Sequence, residues 1–392
     1  MKSFPRSREA RLATAWPRRK SFHLALGAII ASAGLGVPAR AQGEELPAWL
    51  KNLTIDGRAF LRYSYELGNT REEFNEFDID RIYLGFNWRL WERGKLRYTL
   101  EGGDLRENGT DQFDVSTKHF FAEFQKPVSW VESVRVGLTD LPWVGYEEGL
   151  WGYRVQGTIF ADRSGYLTST DLGIGASGKV AEKYGSWQLN LVNGEGWKKN
   201  ETGKHKDVHG RVTVNPFGGS EGLIKNTFLS AFASLGSYDG VAAGTPNDRE
   251  RTILQAGYRE VGSWTLAAEW LQASDLSDRL ASKHPSLGTI PGEVADAGGY
   301  SVFGVANASL VSDSEAAKKW DLFARLDHLD PADEIADNEL SRWIVGVSYR
   351  FRDSLMFALD YESVDYEADY DLGAATPTPD ERRVAVRMDL RF

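Results

Sequence analysis

The sequence predicts an all-β fold: a transmembrane antiparallel β-barrel of about 16 strands. Three observations carry that expectation. Apolar and polar residues alternate with a period of two along almost the whole chain, the connections are alternately short and long, and tryptophan and tyrosine gather at segment ends.

The first element is a leader. Lys2, Arg6, Arg8, Arg11, Arg18, Arg19 and Lys20 form a basic region, Leu24 to Val37 is apolar or small, and Ala39-Arg40-Ala41 is a small-x-small cleavage site. Residues 1–41 are therefore expected to be a secretory signal peptide, and residues 42–392 the barrel. The Arg18-Arg19-Lys20-Ser21-Phe22 run has its phenylalanine one place too late for a twin-arginine signal, so the general secretory route is expected. The formal charge of −10 becomes −17 once the leader's eight basic residues and one acidic residue are set aside. Such an excess argues against a nucleic-acid surface. Cysteine is absent, so neither disulfides nor thiolate metal sites are expected, and nothing in the sequence calls for a cofactor. A mean hydropathy of −0.40 excludes a helical membrane bundle.

The strands follow in order. Leu53, Ile55, Gly57, Ala59, Leu61, Tyr63 and Tyr65 alternate with polar positions, and Ile82, Leu84, Phe86, Trp88 and Leu90 do so next. Trp343 to Phe351 and Leu355 to Tyr361 repeat the pattern. In the closing stretch RRVAVRMDLRF, Val384, Val386, Met388, Leu390 and Phe392 share one face, and Arg383, Arg387 and Arg391 the other. Short turns are expected at Trp91–Gly94, Gly185-Ser186, Gly262-Ser263 and Asp353-Ser354. Long connections fall between them, at 66–77, 104–116, 141–170, 194–206, 237–250, 273–299, 330–341 and 366–380. Eight long loops and seven shorter turns give an even strand count, with the last strand placed to pair with the first. A β-sandwich would not require rims that differ in loop length. Trp88, Trp91, Trp187, Trp264, Trp320 and Trp343 are read as the interfacial belt.

Four stretches carry a family resemblance: VRVGLTDLPW (Val134–Trp143), DRSGYLTSTDLGIGASGKV (Asp162–Val180), WQLNLVNGEGW (Trp187–Trp197), and FDIDRIYLGFNWRLWERGKLRYTLEGGD near the start. Together they resemble the phosphate-selective porin family of Gram-negative outer membranes. The resemblance implies a barrel of about 16 strands, usually a homotrimer, that conducts small anionic solutes such as phosphate across the cell outer membrane. It also implies an external loop folded into the lumen as a constriction, which here falls on residues 141–170. The terminal aromatic strand resembles outer-membrane proteins at large, and implies that Phe392 is a membrane-assembly signal read by the barrel assembly machinery.

Side-chain parity predicts which residues line the lumen. Strand one supplies Arg58 and Arg62, strand two Arg81 and Arg89, strand three Arg97, and strand five Arg135. Strand fourteen supplies Arg350 and Arg352, and strand sixteen Arg383, Arg387 and Arg391. Because strand sixteen closes against strand one, most fall on one basic arc suited to oxyanions. The constriction-loop residues are Glu147, Glu148, Arg154, Asp162 and Arg163; its acids are expected to face the arginines and set up a transverse field. The bland alternative has the arginines paired with Asp56, Glu101, Asp360 and Glu362. Parity slips near Asp80 and Arg81, which predicts a bulge there.

Other constellations carry less. His205 and His209 are four apart, but in a loop entering a strand. Asp330, Asp333, Glu334, Asp337 and Glu339 crowd one external loop without calcium-loop spacing, and a divalent bridge to lipopolysaccharide phosphate is one use for them. A binding channel for larger solutes such as oligosaccharides would need a luminal aromatic track, and inward Phe60, Tyr83, Phe121 and Phe323 are scattered. A barrel enzyme would need a nucleophile beside His119, and the pattern offers none.

Overall fold

The period-two pattern folds into one closed sheet. A computed structural model describes residues 48–68, 73–104, 113–201, 203–238, 248–372 and 380–392; the expected leader lies outside them. The strands are β1 (Leu53–Glu66), β2 (Asn75–Trp91), β3 (Gly94–Asp104), β4 (Phe113–Val128), β5 (Val131–Asp140) and β6 (Thr170–Lys179). They continue with β7 (Gly185–Val192), β8 (Asp207–Val214), β9 (Thr227–Ser237), β10 (Asp248–Glu260) and β11 (Trp264–Leu276). The last are β12 (Val294–Asn307), β13 (Trp320–Asp330), β14 (Leu340–Arg352), β15 (Leu355–Tyr366) and β16 (Glu381–Arg391). Each pairs antiparallel with its neighbours in sequence, and β16 closes on β1 from Arg58↔Arg391 to Glu66↔Arg383. Closure leaves no strand edge for another chain to pair with.

Burial separates the two faces. Along β9, Phe228, Ser230, Phe232 and Ser234 are buried while Leu229, Ala231, Ala233 and Leu235 are exposed, and β11 and β15 alternate in the same way. The exposed row is apolar and the covered row holds the charges, the reverse of a soluble sandwich and the arrangement a lipid-facing barrel requires. Trp91 and Trp320 stand exposed at strand ends near one rim, and Trp270 and Trp343 toward the other. Phe392 directly follows β16 and is 54% exposed.

The connections agree with the expected alternation, with two corrections. Gly185-Ser186 is not a turn: residues 180–184 make it, and Gly185 opens β7 with φ +142°, packed against the Thr213 carbonyl where a Cβ would clash. The connections 215–226 and 308–319 are not short, and each holds 3₁₀ turns. The bulge on β2 is present. Phe60 pairs with Arg81 and Leu61 with Ile79, so Asp80 is the extra residue.

The interior is not an empty tube. Two apolar clusters join strand side chains to the β5–β6 connection, among them Phe232, Ile253, Leu271 and Leu329 with Trp143, Ile159 and Phe160. The second sets Phe303, Phe323 and Ile344 against Leu150, Trp151 and Tyr153.

Candidate functional site

The site is built by the connection between β5 and β6. Leu141-Pro142 ends the strand pattern, and helix α1 (Val144–Trp151) follows, stopped by Gly152 at φ +75°. A second turn, α2 (Phe160–Arg163), leads back towards β6. The connection is rich in large apolar side chains, which water would not tolerate together, and they are covered by the inward faces of β9 to β15.

Polar contacts fix it at many points. Four strand arginines donate to backbone carbonyls of this segment: Arg211 to Pro142 (3.0 Å), Arg387 to Val155 (3.3 Å), Arg325 to Thr158 (2.9 Å) and Arg251 to Tyr166 (2.7 Å). Tyr146 and Tyr153 place their hydroxyls 2.6 Å from Ser230 Oγ and 2.8 Å from Ser348 Oγ. Tyr153 also stacks on Phe323 at 4.0 Å. Arg163 donates to Glu362 (2.6 Å) and Gln156 (3.1 Å), and its guanidinium fills the place a Cβ on Gly157 would take.

Between this segment and the wall of β1–β4 and β16 lies a cavity of about 360 Å³. Seven basic side chains line it: Arg62, Arg81, Arg154, Arg163, Lys198, Arg383 and Arg387. Four acids join them, Asp78, Asp80, Glu101 and Asp114. Phe60, Gly103, Ser116, Trp197 and residues 155–158 of the connection complete the lining.

The acids are shared. Glu362 takes Arg163 (2.6 Å), Arg342 (3.2 Å) and Arg383 (2.6 Å). Asp389 takes Arg58 (2.7 Å) and Arg391 (2.8 Å), and Glu123 takes Lys95 (3.1 Å) and Arg135 (2.8 Å). Glu101 bonds Arg81 and lies 3.1 Å from Lys118. Arg62 and Arg387 are directly opposed across the closing seam, which like charges resist. The bulged Asp80 stands between them, 3.0 Å from Arg62 Nε and 3.5 Å from Arg387 Nη1. Asp78 at 3.0 Å from Arg62 and Asp360 at 2.6 Å from Arg387 complete the group.

The remaining expected residues divide by depth. Arg97 lies 3.7 Å from Asp56, and Arg350 3.6 Å from Asp321. Arg89 is exposed towards the end of β2, and Arg352 lies over the Phe351 ring at the end of β14. The opposition of an acidic loop to a basic wall is not what forms. Glu147 and Glu148 are neighbours on a helix and point in different directions. Glu147 is 1% exposed and accepts from Trp143 Nε1 (2.6 Å); burial pushes its carboxyl up to about 7. Glu148 pairs with Arg154 at 2.6 Å, and Asp162 accepts from Thr158. The loop thus presents arginines to the cavity, while the wall supplies both signs. The inward aromatics form no sugar track: Phe60 lies beneath Arg58 (4.7 Å), Phe121 beneath Arg135 (4.9 Å), and Phe323 beneath Tyr153. His119 bonds Asp140 at 2.7 Å.

Sequence reasoning missed Arg211, Arg251, Arg325 and Trp197. The inward parity of the first three was available in β8, β10 and β13; their carbonyl partners depend on how the loop folds.

No protein-family model matches the chain, and comparison with curated proteins finds no match. Solved structures do resemble it. OmpF of Salmonella typhi, in complex with daunomycin, superposes with a TM-score of 0.60 at 14% identity, over 87% of this chain and 97% of that one. An anion-selective porin from Comamonas acidovorans gives 0.59 at 13%, over 87% and 99%. The trimer form of OmpT from Vibrio cholerae, an outer-membrane protein, gives 0.56 at 12%, over 87% and 99%. At such identities the likeness establishes the fold: this chain has the barrel those outer-membrane proteins have.

Proposed function

We propose that the protein is a passive outer-membrane channel for small hydrophilic solutes that favours anions such as phosphate. The sharing of carboxylates by two or three cations carries this reading, because it leaves the cavity lining with more basic than acidic groups despite a net-acidic chain. In a narrow lumen the local field outweighs the net charge. The pairing network gives an entering anion donors it can borrow without finding any one bare and tightly binding. The same reading extends to assembly as a homotrimer in the outer membrane of a Gram-negative bacterium; the trimer form of OmpT and the anion-selective porin support it by likeness of fold.

The test is the reversal potential of the purified channel in a KCl gradient, with Arg154→Ala and Arg163→Ala alongside and inorganic phosphate added as a blocker. Chloride preference that falls in both variants is expected. Potassium preference, or no conductance, overturns the reading.

A further inference from the structure

The stretch NGEGW between β7 and β8 holds a tryptophan at the cavity with unusual care. Asp171 is buried at the head of β6, and its Oδ2 accepts from the backbone of Gly194 (2.6 Å) and Gly196 (3.3 Å). Both glycines are left-handed, at φ +103° and +76°. A Cβ on Gly194 would strike Arg249 and Asp207, themselves paired at 2.7 Å. The turn can therefore follow this course with glycine alone. Its product is the placement of Trp197, which is half-buried and lines the same cavity as Arg81 and Arg154. Lys118 Nζ lies 4.2 Å from the indole centroid and Lys198 Nζ 5.1 Å.

An indole beside a cation-rich cavity joins two recognition chemistries, a flat apolar surface and oxyanion donors. The volume of about 360 Å³ falls within the range of small-molecule sites, about 300–1,000 Å³. A small inorganic anion would use the guanidinium groups and make no contact that needs the apolar surface of the indole. We infer that the cavity is a retention site for aromatic carboxylates, with the solute ring against Trp197 and its carboxylate on Arg81 and Arg154. This rests on the anion-channel reading and adds to it a class of solute held longer than chloride or phosphate.

Single-channel current through the full-length protein in planar bilayers tests it, with benzoate, acetate and inorganic phosphate as probes. Benzoate is expected to block at about tenfold lower concentration than acetate, the scale of one aromatic contact. Trp197→Ala should bring the two within about twofold, and Trp197→Leu, which keeps apolar bulk without the indole, should do the same. Trp197→Phe should restore most of the gap. The reversal potential in KCl should keep its chloride sign in all three, because the arginines of the lining remain. Equal block by benzoate and acetate, or a benzoate preference that survives both Trp197→Ala and Trp197→Leu, overturns the inference. Loss of chloride preference in the unaltered protein would instead strike the channel reading, and is scored separately.

Discussion

The two halves of the lumen solve one problem in opposite ways. On the β9–β15 side the wall is covered by the β5–β6 connection, and side chains meet as in a soluble core. Charges there are matched closely: Arg325 holds Asp327 through two bonds of 2.7 Å, and Arg251 holds Asp275. On the side of β16 and β1–β5 the cations are partly exposed and unevenly matched, two to a carboxylate at Asp389 and at Glu123. A dry interior punishes an unpaired charge, so pairing must be complete. A wet one tolerates surplus, and surplus makes a field. A closely packed region and a charge-lined cavity are thus complementary products of one barrel.

The dry side should respond most strongly to change. Trp151→Ala removes a ring packed on Phe303 and Phe323, and is expected to cost about 3–5 kcal/mol, read as a lower urea midpoint, with noisier, larger conductance as the loop loosens. Arg325→Ala strands Asp327 in a buried site and should cost a similar ~3–5 kcal/mol. If either variant unfolds like the parent, the connection is not packed against the strands as described. On the other side, Asp80→Asn should raise chloride over potassium permeability and cost less stability than the two changes above, because Asp78 and Asp360 still hold Arg62 and Arg387. One unit charge at about 4 Å in water-like surroundings is worth ~1 kcal/mol, or about fivefold. An unmoved reversal potential would show that the bulge carries no selectivity.

A pH series sharpens the contrast further. The folded state holds the Glu147 proton up to about 7, whereas an unfolded chain releases it in the ordinary carboxylate range. Stability should therefore fall as pH rises between those two values. Glu147→Gln should flatten that slope without changing ion preference. Smallest of all, Arg350→Ala at the wet rim should shift the unfolding midpoint by less than ~1 kcal/mol, since its pair with Asp321 is long and half exposed.

Much of this was legible in the sequence, because a lipid-facing strand must alternate and a loop need not. The parity of Leu53–Tyr65 and Val384–Leu390 located the seam, and the parity slip at Asp80 located the bulge. That acids such as Asp360 and Glu362 would take up arginines was visible as the bland alternative; which arginine each holds, Arg387 and Arg383, was not. The position of Glu147 was not, because adjacency in sequence suggests a common direction that a helix denies. Trp143, Trp151 and Phe160 lie in a stretch assigned as a loop, where so many large apolar residues were themselves a sign of burial. Trp197 escaped notice because its placement depends on a carboxylate, Asp171, at the head of strand β6.

The opposed pair at the seam has a consequence for how the barrel is made. Arg62 faces Arg387, yet a slip of two residues would set Arg62 against Asp389, a better match for those two strands taken alone. What favours the native alignment is Asp80 on β2 and Asp360 on β15, the strands flanking the seam. The first and last strands therefore carry only half of their own address. A growing sheet that reached closure with β2 unbulged or β15 unpaired would meet repulsion at the join, so the seam checks the workmanship of the strands on either side before it locks.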